Sequence, residues 1–239
     1  MNKLDMVISE YQPNAATAIE NDLILHWYPK RIVQRFKRCD SLLELGLGHG
    51  FTASTFNAVT TQHTIVEGSG VLIDMFKKAE PELKVELIQS YFETLDIATK
   101  FDVIVMGFIL EHVDDPAFVL KHYRQFLKPG GKFYIAVPNA KSMNRRMGIE
   151  LGMIDDIYSL NANDLALGHQ RQYCRDTLRQ ELEQQGYKIT HEEGIYLKPL
   201  PLHVLKTLDR FEENLQAMLQ VGIDFPDLCV GLLVEAELL

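Results

Sequence analysis

The hydrophobic pattern of this chain changes its period near Asp40. Before that point Leu23, Ile24, Trp27 and Tyr28 share one face of a helix. After it, short apolar runs alternate with helical stretches. The predicted strands are 41–45, 64–67, 84–88, 101–106 and 132–137, and the helices between them are 51–58, 71–79 and 115–127. This alternation predicts a parallel sheet with helices on both faces.

The alternation of strands and helices breaks down after Val137. Residues 138–168 are polar and mixed, without a clear strand, and a helix over 175–185 precedes strands at 187–191 and near 229–236. The connection between the last two strands is about 30 residues long, far longer than an ordinary hairpin loop. Leucines and a phenylalanine spaced three or four apart from Leu202 to Leu219 predict one amphipathic helix there. We expect it to pack on the core and cover the substrate, with a homodimer face as the alternative.

Composition narrows the class of protein. Hydrophobic residues make up 46% and charged residues 24% of the 239 positions, which is ordinary for a globular chain. The formal net charge of −9 argues against a nucleic-acid partner. Three widely separated cysteines predict neither disulfides nor a zinc site and fit a reducing cytoplasm. The N-terminus does not resemble a signal peptide and no apolar run approaches membrane-spanning length, so no membrane partner is expected.

Candidate chemistry begins where the first strand ends, in the sequence ELGLGHG at residues 44–50. Such a glycine-rich turn is either a tight strand-to-helix connection or a loop that lets a ligand approach main-chain N–H groups. Glu67, which ends the second strand, lies 19 residues after Gly48. A carboxylate at this place accepts hydrogen bonds from both hydroxyls of a ribose. The pair predicts a nucleoside site at this edge of the sheet.

Four segments in order extend this interpretation: LLELGLGHG, IVE, FDVIVMGFILEHVDDP and LKPGGKFYIAVPN. They resemble the successive motifs of class I S-adenosylmethionine-dependent methyltransferases, closely over about residues 40–140 and more loosely over 168–187. The whole chain is also similar to small bacterial methyltransferases. The resemblance implies an α/β fold with a Rossmann-like, doubly wound, seven-stranded sheet. It further implies a helical N-terminal lid at 1–39 and a cofactor-binding domain at 40–239, with cap segments at about 139–172 and 194–227.

The resemblance also implies S-adenosylmethionine as the cofactor and places residues around it. The glycine turn lies against the methionine part, Glu44 near its amino group, and Glu67 on the ribose. Tyr91 or Phe92 flanks the adenine, and Met106 and Gly107 line the cofactor beside the sulfonium. The residues expected at the cofactor are therefore Glu44, Gly46, Gly48, His49, Glu67, Gly68, Ser69, Tyr91, Phe92, Met106 and Gly107.

A competing interpretation of the same turn is dinucleotide binding. That fingerprint, G-x-G-x-x-G, has a third glycine that permits close packing of helix on strand. Phe51 occupies the corresponding position here and argues against it. A nicotinamide-dependent oxidoreductase and a non-catalytic cofactor-binding module remain the alternatives to a methyltransferase.

Methyl transfer from a sulfonium requires the acceptor atom to be held in line with the methyl carbon and shielded from water. A hydroxyl acceptor also benefits from a general base, most often histidine. His112, after the fourth strand, and His169, in the cap, are the candidates, each with a purely structural role as the alternative. Asn139, Arg171 and Tyr173 are candidate substrate contacts. We expect transfer to oxygen, or less readily to nitrogen, of a small molecule such as a biosynthetic or sugar-derived intermediate, without a metal.

Overall fold

A computed structural model describes residues 18–48 and 50–239 as one mixed sheet flanked by helices. The strands are β1 (Cys39–Leu45), β2 (Thr60–Glu67), β3 (Glu86–Gln89), β4 (Phe101–Gly107), β5 (Leu127–Pro138), β6 (Tyr187–Ile195) and β7 (Gly231–Leu238). The helices are α1 (Ala18–Phe36), α2 (Phe51–Asn57), α3 (Gly70–Ala79), α4 (Pro116–Tyr123), α5 (Met143–Glu150), α6 (Ala162–Ala166), α7 (Arg175–Gln184), α8 (Leu202–Leu205) and α9 (Phe211–Gly222).

The strands lie in the order β3-β2-β1-β4-β5-β7-β6. Strands β1 to β5 pair in parallel, whereas β7 runs antiparallel to both of its neighbours. The expected doubly wound, seven-stranded fold is confirmed, and the parallel pairing predicted from the alternating strands and helices is found in β1 to β5. A parallel β7 would have needed a crossover, but the chain turns back from β6 through α8 and α9.

Both faces of the sheet are buried, because alternate residues of each strand enter different hydrophobic clusters. Leu43 and Ile104 pack in one cluster, which the β4–β5 connection and α7 complete. Leu42 and Val103 pack in the other. There they meet α1 through Ile24, Tyr28 and Ile32, and α9 through Leu215 and Leu219.

Residues 18–36 therefore form part of the packed core. Residues 1–17 lie outside the described residues, and a lid function for 1–39 stays a prediction. The single helix expected from Leu202 to Leu219 is wrong: Arg210 takes a left-handed conformation, with φ of 59°, and separates α8 from α9. Among the residues that the structure describes, no helix combines the length and apolar character that crossing a bilayer requires.

Candidate functional site

The glycine turn joins β1 to α2 at the carboxyl edge of the sheet. Gly46, Gly48 and Gly50 all have positive φ, which side-chain-bearing residues rarely adopt. A Cβ added to Gly46 would lie 3.0 Å from Cδ1 of Ile109, so the turn packs closely on the β4–α4 loop. At Gly48 an added Cβ would meet no atom of the described residues within 4 Å. The turn is thus packed against its neighbours at Gly46 and open, among the described residues, at Gly48.

Glu67 is buried at the end of β2, beside this turn. Its two carboxylate oxygens accept hydrogen bonds from main-chain N–H groups, Oε2 from Leu47 at 3.0 Å and Oε1 from Ser69 at 2.7 Å. Each carboxylate oxygen can accept a second hydrogen bond. The main chain therefore fixes the carboxylate in place while leaving acceptor capacity for a pair of hydroxyl donors.

Glu44 lies below the turn and is also buried. It accepts a short hydrogen bond from Thr52 of α2, and its Oε2 lies 2.9 Å from Nε2 of His63 on β2. These contacts tie β1, β2 and the first turn of α2 together under the glycines. Sequence reasoning did not identify His63, because its contact with Glu44 joins two strands and its own neighbours in the sequence are not acidic. The expected contact of Glu44 with a cofactor amino group stays a prediction.

The remaining expected cofactor residues fall into three groups. Phe92 lies near the turn, with Cζ 3.8 Å from a Cβ added to Gly46, whereas Tyr91 is half-exposed. The side chain of Met106 is fully buried in the core, and Gly107 is covered by Tyr28, whose hydroxyl leaves no room for a Cβ. Gly68 and Ser69 form the turn into α3, and His49 lies outside the described residues.

A second cluster brings together two residues that are 57 positions apart in sequence, the candidate bases His112 and His169. Their rings meet edge to face with centroids 4.7 Å apart. Glu111, which sequence reasoning missed, joins them: one ligand-type atom from each of the three residues lies within 4.8 Å of the others. The adjacent acid and imidazole of Glu111-His112 were the only signal in the sequence.

Burial shifts the pKa values of two residues in this cluster, Glu111 and His112. Loss of solvent raises the pKa of Glu111 to about 8, since the charged form is disfavoured, although its own main chain and the charge of Arg171 oppose the shift. Burial also lowers the pKa of His112 to about 4, and the neighbouring His169 adds to the effect. The Glu111 carboxylate oxygens have no hydrogen-bond partner among residues 18–48 and 50–239. Burying a carboxyl group without a hydrogen-bond partner is unfavourable in free energy, so this acid is a candidate for binding a ligand.

Residues 168–171 are hydrogen-bonded directly onto the β4–α4 loop. Gln170 donates from its main chain to the carbonyl of Glu111 and from its side chain to the carbonyl of His112. The Arg171 guanidinium donates to three further loop carbonyls, those of Leu110, Val113 and Asp114. This part of the cap is therefore fixed to the loop that carries His112.

The predicted substrate contacts have structural partners. Asn139 donates to the carbonyls of Pro226 and Cys229. The Tyr173 hydroxyl donates to Oε2 of Glu181 at 2.7 Å. Both side chains are buried, and Arg171 is engaged with the loop carbonyls. In this structure the three side chains hold segments of the protein together. Substrate binding by Asn139, Arg171 and Tyr173 stays a prediction.

Comparison with known proteins agrees with this architecture. The methyltransferase domain family matches residues 20–192, more than half of the chain. A ubiquinone biosynthesis O-methyltransferase from Nitrobacter winogradskyi is 26% identical over 162 residues. That match covers 66% of this chain and 60% of the relative, so the chain spans less than two thirds of the relative's length.

Solved structures show the same fold at low sequence identity. An S-adenosylmethionine-dependent methyltransferase from Mesorhizobium loti superposes with a TM-score of 0.61 at 18% identity, over 89% of this chain and 97% of that one. The N-methyltransferase NodS from Bradyrhizobium japonicum, in complex with S-adenosyl-L-homocysteine, gives 0.62 at 12% identity, over 100% and 99%. The chain therefore belongs to the methyltransferase domain family and has the class I fold of S-adenosylmethionine-dependent methyltransferases.

Proposed function

We propose that this chain binds S-adenosylmethionine at the carboxyl edge of its sheet and transfers the methyl group to an oxygen of a small-molecule acceptor. The observation that carries the proposal is the Glu67 carboxylate, buried and held by two main-chain N–H groups beside an open glycine turn. In open α/β sheets, ligands bind outside the carboxyl ends of the strands, where this carboxylate lies.

The residues present fit the nucleoside part of this cofactor. Glu67 has acceptor capacity for two ribose hydroxyls, and the space in front of Gly48 admits a ligand against the main chain. Phe51, at the position of the third glycine in the dinucleotide fingerprint, opens α2 next to Gly50 and favours this cofactor over a nicotinamide. When bound, S-adenosylmethionine supplies a methyl group on a good leaving group, so the chain itself must orient the acceptor and exclude water.

The acceptor half of the site is the cluster of His112, His169 and Glu111. His112 is neutral at physiological pH, because burial lowers its pKa, and a neutral imidazole can accept a hydrogen bond from an acceptor hydroxyl. Transfer to oxygen is supported by the O-methyltransferase relative, whose name makes a hydroxylated biosynthetic intermediate the first acceptor class to test. Transfer to nitrogen is the second outcome of the same test.

Calorimetry with S-adenosylmethionine, S-adenosylhomocysteine and NAD tests cofactor choice directly. We expect the two adenosyl compounds to bind with one-to-one stoichiometry and NAD not to bind. Turnover to S-adenosylhomocysteine is then followed with hydroxylated and amine acceptors matched in shape. Binding of NAD alone would refute the proposal, and cofactor binding without turnover on any acceptor would favour a non-catalytic binding module.

Four further predictions about the whole chain are not tested by its geometry. They are the cytoplasmic location, the absence of nucleic-acid and membrane partners, the homodimer, and the covering role of segments 139–172 and 194–227. The three cysteines of the described chain are free thiols, which supports the first of these.

A further inference from the structure

We propose that Glu111, His112 and His169 bind one divalent transition-metal cation. The three side chains offer ligand atoms within 4.8 Å of one another, and the carboxylate of Glu111 is fully enclosed. Neither of its oxygens has a hydrogen-bond partner in the described part of the chain. A buried acid without a partner is unfavourable, whereas a cation between it and two imidazoles would satisfy it.

The ligand types indicate which cation. Two imidazoles with one carboxylate suit zinc, iron(II) and similar transition metals, whereas magnesium prefers oxygen ligands and retains its waters. Metal–ligand bonds of about 2.0–2.2 Å require ligand atoms closer together than the 4.8 Å within which the three now lie, so binding of the cation would need small side-chain rotations.

The surroundings of the cluster resemble the support that metal ligands receive in proteins. The carboxylate of Asp164 lies 3.5 Å from Nδ1 of His169 without forming a hydrogen bond, close enough that a small rotation would let the acid orient the ring. Gln170 holds the main chain of Glu111 and His112 through hydrogen bonds to both carbonyls. A cation would thus join the β4–α4 loop to the cap at a point that these hydrogen bonds already position.

The cation would act on the acceptor, and this step rests on the proposed function. Three protein ligands leave coordination positions open. An acceptor hydroxyl bound there would release its proton to a solvent water more readily, because the cation would stabilise the oxyanion. The O–CH3 bond would then form as the S–CH3 bond breaks, with S-adenosylhomocysteine as the leaving group. With the cation bound, His112 would act on the hydroxyl through the cation, in place of the direct hydrogen bond proposed above for the metal-free site.

The test uses the full chain without a polyhistidine tag, stripped with a chelator and dialysed. Zinc, cobalt(II) and magnesium are titrated separately by calorimetry, and cobalt binding is also followed by visible absorption. We expect one equivalent of zinc or cobalt to bind, much more tightly than magnesium. Glu111→Gln and His169→Gln should each weaken zinc binding at least about tenfold. His203→Gln, which removes an exposed imidazole on α8, is the matched control and should bind like the parent.

Two results would overturn the proposal: no saturable zinc or cobalt binding tighter than about 0.1 mM, or unchanged binding in both cluster variants. Circular dichroism checks that each variant is folded, and His169→Gln retains the buried acid if Glu111→Gln does not fold. Binding of S-adenosylhomocysteine is measured separately, with and without metal. Failure of the protein to bind S-adenosylhomocysteine in either condition would count against the proposed function alone and would leave the conclusion about the metal site unchanged.

Discussion

Replacing Glu67 with glutamine tests the cofactor half of the site with almost no change in shape. The carboxylate is held by the N–H groups of Leu47 and Ser69, and we expect its remaining acceptor capacity to serve two hydroxyls of the cofactor. Hydrogen bonds to a charged acceptor contribute about 1.5–3 kcal/mol each. Glutamine keeps one acceptor oxygen and turns the other into a donor, so at least one such bond is lost.

The expected loss of about 1.5–3 kcal/mol corresponds to roughly a 10- to 150-fold weaker affinity for S-adenosylhomocysteine. Calorimetry at one pH and salt concentration measures it. The new amide group also faces a main-chain N–H, which costs about 1–3 kcal/mol of unfolding free energy. Urea unfolding must therefore show that the variant is folded at the temperature of the titration.

Glu86→Gln is the matched control for this variant. Glu86 lies on the adjacent strand, β3, is exposed, and accepts one hydrogen bond from Thr64 at 2.9 Å. It carries the same change of charge without contacting the glycine turn, and we expect unchanged affinity. An affinity of folded Glu67→Gln within twofold of the parent would refute the assignment of Glu67 to the ribose.

Three further predictions concern stability. Gly194→Ala should cost about 1–3 kcal/mol in urea unfolding, because its Cβ would lie 2.4 Å from the carbonyl oxygen of Gly222, and an unchanged midpoint would contradict this contact. Arg171→Lys should cost a similar amount, about 1–3 kcal/mol, because a single ammonium cannot reach the three loop carbonyls that the guanidinium holds; parental stability would show that they do not matter. Burial tends to raise the pKa of Glu192, but hydrogen bonds from Arg175 and Arg179 outweigh it and leave that pKa lowered. Its contribution to stability is therefore present above the unfolded pKa of about 4.3 and is lost as pH falls through the lower folded value. Glu192→Gln should accordingly be less stable than the parent at pH 7 and lose less stability on acidification, and an identical dependence of the urea midpoint on pH would rule this out.

The residues predicted to bind the cofactor could be brought together from the sequence because each segment is local, and their role in cofactor binding stays a prediction. A glycine turn that follows a buried strand and an acid at the end of the next strand meet at one sheet edge as a consequence of parallel pairing. The direction of β7 was not accessible, since an apolar run reads the same in either direction. The break at Arg210 was also hidden, because its left-handed conformation interrupts a helix without interrupting the leucine spacing.

The acceptor half could not be assembled from sequence for a different physical reason. His112 and His169 meet only because residues 168–171 fold back onto the β4–α4 loop, and no local pattern specifies that contact. Arg171 illustrates the difficulty: an arginine near a candidate site suggests an anionic substrate, yet its guanidinium binds three main-chain carbonyls. Glu111 was missed because an acid next to a histidine in a loop does not indicate a site until the burial of the acid is known.

The two halves of the site rest on separate supports, and this separation has a consequence for their energetics. Glu67 is fixed by main-chain groups of the β1–α2 and β2–α3 connections, whereas His112 is fixed by the cap through Gln170 and Arg171. Changes in one support should reach the other only through the contact of Ile109 with Gly46, so we expect their effects to be largely additive. Loosening the cap should therefore weaken acceptor binding and stability together while preserving affinity for the adenosyl compounds. Loosening the glycine turn should weaken binding of the adenosyl compounds while preserving binding of the acceptor.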